Sequence, residues 1–121
     1  DTNRKKVEAL FESRGRPYEL IAGFFPASCK GHKLAPVSFV HLDVDVFKAT
    51  IESLLYLEQE HVLMDKTLMV LDDYDRNADG VNQAVSEFTA AYKKWLAIPI
   101  FPGQCLLLSQ GWFSQSGSGT L

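Results

Sequence analysis

One stretch constrains this chain more than any other. Val37-Ser-Phe-Val-His-Leu-Asp-Val-Asp-Val46 alternates, with Val40, Leu42, Val44 and Val46 on one face and Phe39, His41, Asp43 and Asp45 on the other. That is the pattern of a strand. A helix then runs from Ala49 and Thr50 to about His61, with Ile51, Leu54 and Leu55 as its apolar side. Thr67-Leu-Met-Val-Leu71 follows, apolar without alternation, and ends abruptly in Asp72-Asp73. Such a run fits a strand covered on both faces, as in a parallel sheet. Strand, helix, strand in this order makes a crossover unit whose strands are parallel neighbours.

The flanking segments extend that unit. Thr2 or Asn3 can cap a first helix carrying Val7, Leu10 and Phe11, which Gly15 ends and Pro17 keeps from continuing. Tyr18 to Phe25 reads as a strand and Pro26 to Pro36 as a loop. After a polar turn at Asp75 to Gly80, the stripe Val81, Ala84, Val85, Phe88, Ala91, Tyr92, Trp95 predicts a helix with a core-facing side. Ile98 to Ile100 and Gln104 to Leu108 flank Pro102-Gly103 as an antiparallel hairpin. The Ser/Gly-rich residues 114–121 read as a flexible tail. The expected fold class is therefore α/β, a mostly parallel sheet with an antiparallel C-terminal hairpin and helices on both faces. It forms one domain over residues 1–113.

Composition removes several function classes. A chain of 121 residues has room for one domain, and 46% hydrophobic with 22% charged residues is ordinary for a globular one. A net charge of −3 lacks the clustered positive charge of a nucleic-acid binder. No apolar run approaches the roughly 20 residues of a membrane helix, and no segment reads as a signal peptide. Cys29 and Cys105 are too few and too distant for a disulfide framework, so two buried free thiols in a reducing, cytoplasmic setting are expected. Cys29-Lys-Gly-His32 has no second half that would make it a zinc site.

The chemistry concentrates at two strand ends. In open α/β sheets ligands bind beyond the carboxyl ends of the strands. Parallel neighbours lie about 4.8 Å apart, so Asp43 and Asp45 on one tip and Asp72 and Asp73 on the next would converge. Carboxylates this close repel unless a cation or a proton joins them. Their hard oxygens suit magnesium, manganese or calcium. His41, on the face of Asp43, is either a partner behind the site or a satisfied core histidine. A rival is Asp75-Arg-Asn77-Ala-Asp79-Gly80, which matches the first six positions of a calcium loop but lacks the apolar eighth residue and has Ser86 where the bidentate Glu belongs. No glycine-rich nucleotide loop occurs.

From Phe39 to Thr50 the sequence resembles the macrocin-O-methyltransferase family of class I S-adenosylmethionine-dependent enzymes. The family's Asp-x-Asp-Leu-Tyr-x-x-Thr corresponds to Asp43-Val-Asp45-Val-Phe47-Lys-Ala-Thr50, with Phe47 in place of Tyr. Its Asp-Asp-Tyr, glycine and Ala-Val-x-x-Phe are similar to Asp72-Asp73-Tyr74, Gly80 and Ala84-Val85-Ser-Glu-Phe88. Val7-Glu-Ala-Leu-Phe11 and Gly23-Phe24-Phe25 extend the likeness upstream. The resemblance implies the C-terminal portion of a Rossmann-like methyltransferase sheet, with the family's glycine-rich cofactor loop lying before Asp1. It implies S-adenosylmethionine and magnesium as cofactors and a small-molecule hydroxyl, on a sugar or natural product, as acceptor. Asp43, Asp72 and Asp73 take the place of metal ligands, Asp45 that of the general base, and Gly23 and Phe24 border the adenine. The alternatives are a non-catalytic calcium- or metal-binding domain built on Asp75, Asn77 and Asp79, or a degenerate half-domain whose exposed sheet edge favours a homo-oligomer.

Overall fold

The computed structural model describes residues 2–60, 63–74, 80–100 and 102–113. The chain falls into two compact units, Asp1–Gly31 and His32–Leu121. In the first unit, helix α1 spans Thr2–Ser13. Gly15 follows it at φ 65, a left-handed conformation that costs glycine little, and its N–H closes on the carbonyl of Glu12 at 3.1 Å. Phe11 and Tyr18 then stack with ring centroids 5.2 Å apart, and the Tyr18 hydroxyl donates to Glu12 Oε1 at 3.2 Å. Tyr18 to Phe25, expected as a strand, is irregular and turns into a short 3-10 helix, Ala27–Cys29. The cause is local. Gly23 sits at φ 123, far from extended backbone, and Pro26 has no N–H to offer a ladder.

The second unit carries a four-stranded sheet in the order β1-β2-β4-β3. Its strands are β1 (Val37–Leu42), β2 (Leu63–Leu71), β3 (Trp95–Ile100) and β4 (Gln104–Ser109). β1 and β2 are parallel, with Leu42 opposite Leu71. Both pairings of β4, with β2 and with β3, are antiparallel. The sheet is thus mixed rather than mostly parallel, because the hairpin returns into the sheet beside β2 and leaves β3 as the edge.

Helix α2 (Phe47–Gln59) joins β1 to β2, and α3 (Val81–Ala91) follows β2. The two helices pack on each other. Phe88, Val85, Ala84, Leu54 and Leu57 form the core with Leu42, Met69, Leu71, Cys105, Leu107 and Trp95 from one sheet face. Helices on both faces were expected; in this unit the buried positions alternate along β2 and β4, so α2 and α3 share one face. The buried stripe of α2 also includes Thr50 and Ser53, whose hydroxyls donate to the carbonyls of Val46 and Ala49 at 2.7 Å each. Those bonds let polar residues enter the core without an unpaired hydroxyl.

Trp95 continues the stripe of α3 without belonging to it. The helix stops at Ala91, and Trp95 starts β3. Its ring lies 6.0 Å from that of Phe88, and its indole N–H donates to Glu58 Oε1 at 2.7 Å. Cys29 and Cys105 are buried free thiols. No helix among the described residues is long and apolar enough to cross a membrane.

Candidate metal centre

β1 ends earlier than its alternation suggests. The Asp72 N–H donates to the Leu42 carbonyl at 3.1 Å as the last rung of the parallel pair. Val46 N–H then bonds the carbonyl of Val44 at 2.7 Å, closing a three-residue turn around Asp45 at φ 66. Asp73, two residues beyond β2, is likewise left-handed at φ 60. Aspartate tolerates this region better than most residues, yet two such residues at facing strand tips are uncommon.

These two turns bring three carboxylates together. One oxygen from each of Asp43, Asp45 and Asp73 lies within 4.8 Å of the others, and all three residues are exposed. Asp45 stands just ahead of α2, and its carbonyl adjoins Gly80 at the start of α3, 3.8 Å from where a Cβ would sit. Asp73 is pushed up to about 6, first by its hydrogen bond with Asp45 and then by desolvation and by the like charges of Asp45 and Asp43.

Asp72 behaves differently from its neighbour. Its Oδ2 lies 2.6 Å from His41 Nε2, and its Oδ1 accepts from Gln104 Nε2 at 2.7 Å. The Gln104 bond, then that of His41, holds the carboxyl below its ordinary range. Asp43 and Asp73 thus meet as expected, Asp45 joins them, and Asp72 stands outside the trio with both oxygens engaged. An open cleft of ≈ 530 Å³ borders the centre, lined by Asp43, Asp72, Asp73, Pro102, Gly103 and Gln104. The hairpin turn between β3 and β4 forms its opposite wall.

The donor set fits a hard divalent cation. Oxygens bound to magnesium at roughly 2.0–2.1 Å lie about 3 Å apart when adjacent and about 4.2 Å when opposite. Three oxygens within 4.8 Å of one another need little movement to reach that spacing. Gly23 and Phe24 belong to the first unit, in a turn that follows no strand, with Phe24 92% exposed. Residues 75–79, with the calcium-loop candidates Asp75, Asn77 and Asp79, lie outside the described residues, as does the tail at 114–121. Gln104 was not anticipated; its one signal is a polar side chain opening an otherwise apolar strand. Compared with known protein families, with curated proteins and with solved structures, the chain matches none.

Proposed function

We propose that this chain carries the acceptor-activating part of a magnesium- and S-adenosylmethionine-dependent O-methyltransferase with a Rossmann-like sheet, acting on a sugar or natural-product hydroxyl. One observation carries the reading: the acidic tips of two adjacent parallel strands meet as Asp43, Asp45 and Asp73 beside an open cleft. The likeness of Asp43-Val-Asp45 and Asp72-Asp73-Tyr74 to the methyltransferase motifs supplies the reaction type.

Asp43 and Asp73 would hold the cation. A divalent ion there would lower the pKa of a hydroxyl brought against it. Asp45, within reach of both, accepts the acceptor's proton on a carboxylate oxygen. The Pro102-Gly103-Gln104 wall limits the directions from which an acceptor enters. Gly23 and Phe24, set beside the adenine by the resemblance, lie in a turn rather than a strand.

The test uses the protein as its complete gene encodes it. Transfer of labelled methyl from S-adenosylmethionine to a panel of sugar and phenolic hydroxyls is followed with magnesium and with chelator. Asp45→Asn is expected to slow turnover by roughly 10²–10⁴. Transfer indifferent to chelator, or an unslowed Asp45→Asn, would overturn the reading.

A further inference from the structure

We infer that β1 is a pairing edge for a second copy of this chain, whose β1 lies antiparallel to it across a two-fold axis at Phe39. The inference goes beyond the reading above and does not depend on it. β1 pairs with β2 on one side and with no strand among the described residues on the other. Such an edge offers its backbone groups to another chain unless something blunts it. β3, the opposite edge, carries Pro99, which has no N–H to give. β1 is Val-Ser-Phe-Val-His-Leu, with no proline, lysine or carboxylate inside it. The irregularity in its pairing falls in β2, which spends five residues from Leu63 to Leu68 while β1 advances two from Val37 to Phe39. The Leu42 carbonyl turns toward β2, where it accepts from the Asp72 N–H. Backbone groups alternate along a strand, so those of Phe39 and His41 face outward.

The charges on either side of β1 select a second copy as the occupant. Lys33 stands six residues before Phe39, and Asp45 six residues after it. All of Lys33, Asp43 and Asp45 are exposed. Two β1 strands laid antiparallel, Phe39 on Phe39, bring Lys33 of each copy to the acidic tip of the other, twice by symmetry. Parallel pairing would instead set one acidic tip against another. Leu42 is buried against the helices, so Phe39 lies on the opposite face, where it is 57% exposed and its mate would cover it. Other registers lose this match. A two-fold at His41 sets Phe39 against Asp43, and one at Val37 sets Lys33 against His41. The Val37 carbonyl is also already engaged, by Thr67 Oγ1 at 3.1 Å. Exposed ion pairs add little affinity. They choose direction and register, while main-chain bonds and the Phe39 contact hold the pair.

Two measurements on the 121-residue chain test this. In a hydrogen-bonded antiparallel pair the Cα atoms lie about 5.5 Å apart, within disulfide range. The native Cys29 and Cys105 are buried. Mild oxidation should therefore turn Phe39→Cys into a covalent dimer roughly tenfold faster, or more, than Leu96→Cys on the other edge strand. Equal rates would overturn the inference. In sedimentation equilibrium, Lys33→Glu and Asp45→Lys should each raise the dimer dissociation constant by roughly tenfold, since each turns two attractions into two repulsions. An equimolar mixture of these two variants should regain the wild-type constant, because both ends of the mixed pair again carry opposite charges. A mixture no tighter than either variant alone, with wild-type circular dichroism in both, would exclude the antiparallel register. A wild-type chain that stays monomeric at every concentration would overturn the inference outright and leave the metal-centre reading untouched.

Discussion

At the scale of single residues, the two neighbouring aspartates at the end of β2 titrate in opposite senses. Asp73 is raised to about 6, first through its hydrogen bond with Asp45, whereas Asp72 is lowered, first through Gln104. A carboxyl raised in the folded state contributes stability that is complete below its unfolded value of 3.8 and is lost as pH rises through about 6. For Asp72 the sign reverses: its contribution is present above 3.8 and is lost as pH falls through its lower folded value. Without divalent metal, then, Asp73 alone makes the melting temperature fall between about pH 4 and pH 6. Asp73→Asn is expected to flatten that limb and leave the acid limb of Asp72 in place. Thermal unfolding across pH, in chelator, checks both. The same physics bears on Asp45→Asn. Replacing the nearest like charge should bring the Asp73 carboxyl down toward 3.8, visible as a shifted carboxyl carbon titration by NMR; an unmoved titration would mean that Asp45 is not its main neighbour.

At the scale of elements, the crossover unit was legible because each of its parts is specified locally. Alternating valines mark β1, an unbroken apolar run marks β2, and parallel neighbours must end side by side, so the meeting of Asp43, Asp45 and Asp73 follows from topology. The position of Asp72 was not legible, because it depends on Gln104 and His41, each about 30 residues away. Tyr18 to Phe25 misleads for a local reason: its apolar residues suit a strand, but Gly23 at φ 123 leaves extended backbone and Pro26 has no N–H for a ladder. Trp95 misleads because a core can be filled at helical spacing by a residue from the following strand. Another long-range constraint lies in the 3-10 turn Gln110–Trp112 that ends β4. There Ser109 Oγ donates to the Asp65 carbonyl at 2.6 Å, and Trp112 Nε1 donates to that of Thr67 at 3.0 Å. Both bonds draw the turn onto β2 so closely that a Cβ on Gly111 would lie 2.3 Å from the Asp65 carbonyl oxygen. Since backbone cannot yield cheaply, Gly111→Ala should destabilise by about 1–3 kcal/mol in urea unfolding. A stability equal to wild type would show that the turn is not packed this way.

At the scale of the whole molecule, the second sheet unit is unevenly covered. α2 and α3 bury one face, while the other is mostly apolar. Register places Phe39 opposite Leu68, Leu68 opposite Leu108, and Leu108 opposite Leu96. One rung further along lie His41, Val70, Leu106 and Ile98. Phe39 and Leu96, at the ends of this row, are 57% and 49% exposed. Contiguous apolar surface of this kind, bounded by the edge strands β1 and β3, favours association. Only a net charge of −3 opposes it, and salt screens that repulsion within about 10 Å at 0.1 M. Sedimentation velocity should therefore show mass rising with protein concentration, and rising further with added salt. Phe39→Lys and Leu96→Lys place a charge at either end of the row and should shift the distribution toward monomer. Their melting temperatures should change little, because neither side chain belongs to the buried core. If both variants sediment like wild type, association, where it occurs, uses another surface.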